Sequence, residues 1–304
     1  MIGDIKYKTV SYSKVSTLDL PRDLCLQIDH FLMSFSSPLI LDGTLAGSGT
    51  FIKCGRVYGI LTAHHVVHNP RDSSRAFDFS AGSKQQLSLS ITDKRSHSFT
   101  IPMSVLDSID VGIPKGANVG PDLSVIVLPE VQARSIAIRK SFIDISVKRR
   151  KRMRKCLSAV GGWCAIGFPH CYTRPHESST DAKRVTYIPS ITLYSHITRR
   201  FEKHGFDFLR FNVKQAEMRG NIEAPPSYGG MSGGGVWKVC ILRDVNTSTY
   251  SVDVEGTNLA GVAFYQTLPK GKPERLVCHG WKSIYGNVYR KLSRAAPGLS
   301  GGRR

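Results

Sequence analysis

Residues 47–67 read GSGTFIKCGRVYGILTAHHVV. Two runs rich in β-branched and aromatic residues, 47–54 and 56–62, lie either side of Gly55, and the second runs straight into His64 and His65. Runs of this length, bounded by turn residues, read as antiparallel strands. Working outward, similar runs recur as QLSLSIT (86–92), LSVIVL (123–128), WCAIGF (163–168), RVTYIPS (184–190), DFLRFNV (207–213), GGVWKVC (234–240), TYSVDV (249–254) and NLAGVAFY (258–265). Their alternation and spacing predict an all-β fold of antiparallel sheet closed into barrels or sandwiches.

Two helices flank that β region. Pro21 suits a first helical position, and Leu24, Ile28, Phe31, Leu32 and Phe35 recur at three or four residues, so 21–35 reads as a helix with one packing face. His279–Leu292 reads as a second amphipathic helix, packing through Trp281, Ile284, Tyr285, Val288 and Leu292. Trp237 reads as core, and the Gly-, Ser- and Arg-rich tail 293–304 is expected to be mobile.

At 304 residues the chain makes one large domain or two small ones. It is 41% hydrophobic and 21% charged, which excludes a disordered chain. No apolar run reaches the roughly 18 residues of a membrane span. The first residues lack the apolar stretch of a secretory signal. Seven cysteines, an odd number with no CxxC pair, argue against a disulfide framework and a zinc knuckle. Reduced thiols and a cytoplasmic location are therefore expected, with no membrane partner.

Lys plus Arg outnumber Asp plus Glu by 42 to 23, a net charge of +19. Seven basic residues fall in the eight of KRRKRMRK (148–155), and Arg290, Lys291, Arg294, Arg303 and Arg304 add five more. A solvated linker and tail would explain this pattern. So would unspecific contact with nucleic acid or an acidic protein partner, which salt would weaken. No motif that reads RNA or DNA accompanies the block.

Three patterns stand in the order His, Asp, Ser: LTAHHVV (61–67), PDLSVIVLP (121–129) and GGMSGGGVW (229–237). A serine hydroxyl becomes a useful nucleophile when an imidazole takes its proton, and a carboxylate must hold that imidazole in one tautomer. Glycines let backbone N–H groups turn toward one point, where they can stabilise an oxyanion. Asp107 and Asp110 precede no comparable apolar run and read as loop acids. His64 is the alternative base to His65. A metal at His64, His68 and Cys54 lacks a second ligand pair at useful spacing.

At these residues the chain resembles the trypsin-like (chymotrypsin-like) serine peptidases, in flavour the high-temperature-requirement type without its peptide-binding domain. The matching pieces are Thr62-Ala63-His64-His65, Asp122-Leu123-Ser124-Val125 and Gly230-Met231-Ser232-Gly233-Gly234, with GSGTFI, WCAIGFP and LAGVAFY as supporting strands. The resemblance implies two antiparallel six-stranded β-barrels with the active site at their interface. It divides the chain into an N-terminal extension (1–42), a first barrel (43–147), a basic linker or loop (148–160), a second barrel (161–278), the helix (279–292) and the tail. It assigns His65 as base, Asp122 as its orienting acid and Ser232 as nucleophile, with the N–H groups of Gly230 and Ser232 as oxyanion hole. It places Pro226 at the floor of the substrate pocket, beside Ser227 and Tyr228, with Phe264, Tyr265 and Gln266 on the wall. No acid stands at Pro226, so a small or apolar substrate side chain is expected rather than Lys or Arg. Met231 replaces the acid that pairs with a cut N-terminus in secreted members, so that switch is absent.

The expected activity is peptide-bond hydrolysis without metal or cofactor, on a protein or peptide substrate. Narrow specificity or a regulatory protein partner would restrain it. The alternative is a catalytically silent barrel that binds anionic partners.

Overall fold

The computed structural model describes residues 7–9, 20–69, 76–90, 98–114, 120–151, 162–176, 185–213, 217–218, 225–269 and 274–299. In chain order its strands are β1 (Tyr7–Thr9), β2 (Ser36–Leu41), β3 (Thr44–Cys54), β4 (Val57–Thr62), β5 (Gln86–Ser90), β6 (Ser98–Pro102), β7 (Asp107–Gly112), β8 (Leu123–Leu128), β9 (Ile143–Asp144) and β10 (Gly162–Gly167). There follow β11 (Arg174–His176), β12 (Val185–Tyr187), β13 (Ile191–Ser195), β14 (Ile197–Lys203), β15 (Phe206–Asn212), β16 (Glu217–Met218), β17 (Gly235–Asp244), β18 (Tyr250–Thr267) and β19 (Arg275–Gly280). The α-helices are α1 (Arg22–Ser34), α2 (His64–His68), α3 (Glu130–Ala137) and α4 (Tyr289–Leu299), with a π-helical turn at Ser283–Val288.

The chain is mostly β. One large sheet runs β6-β5-β2-β3-β4-β8-β7 and a second β14-β15-β19-β18-β17-β10-β13-β16, while β11 and β12 form a separate two-stranded sheet. Their pairings are antiparallel apart from the parallel contact of β9 with β3. With β9 and β1 attached, the sheets hold eight and nine strands, more than the six expected for each barrel. The surplus includes β9 and β16, two residues each, which are too short to show alternation in a sequence.

Period-2 alternation explains how these sheets are buried. Leu123, Val125 and Val127 on β8 join one apolar cluster, while Ile126 and Leu128 join another. The first cluster also takes Leu24, Ile28 and Leu32 of α1, Trp237 and Val239 of β17, and Ile284, Tyr285 and Val288 of the π-helical turn. It thus binds the two sheets to both terminal helices. Trp237 is fully buried and packs against the Phe35 ring at 5.2 Å, as a core residue should.

Three boundaries differ from the sequence reading. His279 lies on β19, and the chain turns helical only after Gly280. Leu276, Val277, Cys278 and His279 are all buried, and a run buried on both faces carries no period that separates strand from helix. Residues 293–299 continue the helix rather than forming a tail, while 300–304 lie outside the described residues. In the basic block, 148–151 are helical and 152–160 lie outside the described residues. Among the described residues, no helix is long and apolar enough to cross a membrane.

Candidate active site

Strand β4 ends at Thr62, and the chain turns into α2 through Ala63, so His65 stands where sheet gives way to helix. Asp122 immediately precedes β8, which pairs with β4. That pairing brings the two residues together at two points. His65 Nδ1 lies 2.6 Å from Asp122 Oδ2, and the His65 backbone N–H donates to Oδ1 at 2.9 Å. The double contact fixes the ring on the carboxylate and leaves Nε2 pointing away from it. The His65 side chain is 35% exposed and that of Asp122 11%. Burial alone would raise the Asp122 carboxyl. Its hydrogen bonds from His65 and the electrostatic attraction of that imidazole overcome that and hold it below the usual carboxylate range.

A residue the sequence reading missed stands behind this pair. The Asp122 backbone N–H donates to Nε2 of the fully buried His279 at 3.0 Å. His279 stacks on Phe264 at 4.6 Å and also meets the rings of Phe206 and Phe208. Burial lowers its pKa to about 4, against the pull of the Asp122 charge, so it is neutral at pH 7. Nε2 accepts, so the proton sits on Nδ1, which has no hydrogen-bond partner among the described residues.

The Ser232 loop is tied to the first sheet by a buried serine. Ser48 on β3 donates its hydroxyl to Gly230 O at 2.7 Å and accepts the Phe168 N–H at 3.0 Å. Its own N–H donates to Ser232 O at 2.8 Å. Thr50 adds a bond to Gly233 O, and Thr62 one to Ser48 O. Gly233 has φ +91, and a Cβ there would run into Ser48 O and the Thr62 hydroxyl. A Cβ on Gly47 would meet both Val66 of α2 at 2.8 Å and Ser232 O at 3.0 Å. The loop and the His65 helix therefore abut across β3. The Ser232 hydroxyl donates to Phe264 O at 3.4 Å, so in this conformation its proton is given to that carbonyl.

Two backbone donors flank Met231. The Met231 N–H is used by Tyr228 O. Among the described residues, no group accepts from the N–H of Gly230 or Ser232. Gly230 itself has φ +92, which a side chain would strain.

The expected pocket residues also meet. Gln266 accepts the Tyr228 N–H at 2.7 Å and donates to the Ser227 hydroxyl at 3.0 Å, joining β18 to the loop before Ser232. Tyr228 and Phe264 are buried, and Tyr265 is partly exposed. Pro226, expected at the floor, is exposed. Burial raises the Tyr228 hydroxyl to about 12, so it is a neutral group at pH 7.

His64 takes no part in the His65–Asp122 pair. Its imidazole lies with that of His68 against Asp110. Asp110 and Asp107, read from sequence as loop acids, are on β7.

No protein-family model matches the chain, and no curated protein does. Among solved structures, an HtrA-type protease, AlgW with a decapeptide, aligns with 84% of this chain and 52% of its own, at 13% identity and a TM-score of 0.38. The chain thus spans about half the length of that protein. A structure from work on the coupled folding and binding of the intrinsically disordered Sesbania mosaic virus VPg protein aligns over 95% of this chain and 97% of its own. Its identity is 12% and its TM-score 0.34. With likeness this low, any functional reading stands on the side chains alone.

Proposed function

We propose that the chain is a trypsin-like serine endopeptidase, with the two sheets acting as its two barrels and the active site between them. The observation that carries this reading is the two-point contact of His65 with Asp122 beside a glycine-rich Ser232 loop. A solvent-accessible imidazole clamped through Nδ1 presents Nε2 as a base. Structural histidines have no need of that arrangement.

Ser232 Oγ turns from Phe264 O toward His65 Nε2 and attacks the scissile carbonyl carbon. The hydroxyl proton passes to Nε2, and Asp122 stabilises the imidazolium. The carbonyl oxygen, now negative, takes the free N–H groups of Gly230 and Ser232; one such donor lowers the barrier by roughly 3 kcal/mol. The C–N bond breaks as His65 returns the proton to the leaving amine. Water then repeats the sequence on the acyl-serine and regenerates the hydroxyl. Buried Tyr228 and Phe264 and the neutral amide of Gln266 supply no charge to hold Lys or Arg, which supports a small or apolar substrate side chain.

A fluorophosphonate probe tests this reading. The wild type should be labelled, and Ser232→Ala and His65→Ala should not. Equal labelling of wild type and Ser232→Ala would remove the assignment. No labelling of a folded wild type would favour a silent barrel that binds anionic partners.

A further inference from the structure

His64 and His68 are four residues apart on α2, and their rings stack at 4.2 Å. Asp110 faces them from β7. His68 Nε2 lies 2.8 Å from Asp110 Oδ1, and His64 Nε2 lies 3.8 Å from Oδ2. One donor atom from each of the three residues falls within a span of 4.8 Å. Tetrahedral zinc holds N and O donors about 2.0–2.2 Å from the ion, which separates them by roughly 3.4 Å. The two imidazole-to-carboxylate distances, each to a different oxygen of Asp110, lie on either side of that value.

Three further features suit a metal. The pairing of β7 with β8 shifts register between Asp110 and Gly112, and such a bulge re-aims the side chain beside it. The Ser124 hydroxyl donates to Asp110 Oδ1 at 2.7 Å and orients the carboxylate as an outer-shell partner would. All three ligand residues are partly exposed, so an ion can enter and solvent can fill a fourth position. Two imidazoles with one carboxylate suit zinc or another borderline transition ion, while calcium and magnesium prefer oxygen donors.

We propose that His64, His68 and Asp110 form a zinc site, with solvent as fourth ligand, separate from the His65–Asp122 pair. The site joins the helix that carries His65 to β7 and the start of β8, two residues beyond Asp122. Zinc there fastens the helix of the candidate base to β7, the strand that pairs with β8, which Asp122 precedes. The site does not depend on the peptidase reading, and its test needs no activity.

The experiment titrates Zn2+ into the chelator-stripped full chain by calorimetry and follows Co2+ substitution by visible absorption. One equivalent of Zn2+ should bind, thermal stability should rise, and Co2+ should give the intense bands of a tetrahedral site. His68→Ala and Asp110→Asn should each weaken binding at least 100-fold and abolish those bands, and Ser124→Ala should weaken it about tenfold. His68→Gln serves where His68→Ala melts below the assay temperature in EDTA. No zinc binding by the wild type, or binding unchanged in His68→Gln and Asp110→Asn, overturns the proposal. A probe-negative Ser232→Ala chain that still binds one Zn2+ separates this result from the fate of the peptidase reading.

Discussion

His279 holds the backbone N–H of Asp122 at 3.0 Å through its Nε2, so a strand of the second sheet positions the acid that orients His65 in the first. Both partners are buried, and the imidazole lies among the rings of Phe206, Phe208 and Phe264. Replacing His279 by Phe leaves a buried N–H without an acceptor, at about 1–3 kcal/mol of stability. His279→Gln keeps an acceptor and should recover part of that loss. If His279 positions Asp122, turnover in His279→Phe falls while KM for a peptide substrate stays constant, and His279→Gln restores turnover. Matched changes in stability with unaltered turnover would reduce His279 to a packing residue.

The same histidine makes the fold sensitive to acid. Its pKa falls from an ordinary 6.5 to about 4 on folding. Between those values the unfolded chain binds a proton that the folded chain refuses, so stability declines as pH drops from 6.5 toward 4. The full effect is roughly 3 kcal/mol. The Asp122 carboxyl, held below its ordinary range, contributes in the opposite sense of charge and at lower pH. Its contribution is complete above an ordinary carboxylate pKa and is lost as pH falls through the folded value. Urea unfolding from pH 7 to 4 should show a falling midpoint in the wild type and a flatter profile in His279→Gln.

Asp122→Asn keeps the shape of the acid and removes its charge. The amide can present its N–H to His65 Nδ1, which puts the imidazole proton on Nε2, the wrong nitrogen for a base. Probe labelling and peptide hydrolysis should both fall about 10⁴-fold, as tautomer loss does in such triads. The fold should survive, because the amide oxygen can still accept the His65 backbone N–H. Labelling within tenfold of the wild type would show that Asp122 does not set the tautomer.

His65, Asp122 and Ser232 each stand in a short motif, and residue type with neighbours is enough to single them out. The partners behind them are not local. Ser48 sits inside the GSGTFI run, but its bonds to Gly230, Ser232 and Phe168 arise from how a loop more than a hundred residues away lies on β3. Asp110 faces α2 because of a bulge, and a bulge shifts alternation in a way that sequence reads as loop. His279 lies in a run buried on both sides, where helix and strand look alike. Alternation reveals strands; register and burial between strands decide which polar groups meet.

Ser48 gives the clearest test of the tie between the Ser232 loop and the first sheet. Its hydroxyl donates to Gly230 O and accepts from the Phe168 N–H; Ser48 and Phe168 are buried and Gly230 is half-buried. Ser48→Ala leaves one acceptor and one donor unpaired, so about 1–3 kcal/mol should be lost for each, less any reached by water. Because Gly230 carries one candidate oxyanion donor, the probe should also react more slowly at a temperature where the variant is fully folded. Gly233→Ala acts on the same contact from the other side. Its Cβ would enter the space of Ser48 O and the Thr62 hydroxyl at a φ of +91, so the loop must leave β3. That variant should lose labelling altogether, while Gly43→Ala, also at positive φ but with open space around it, should cost stability alone. Normal labelling in Gly233→Ala would mean that the loop reaches His65 without the Ser48 tie.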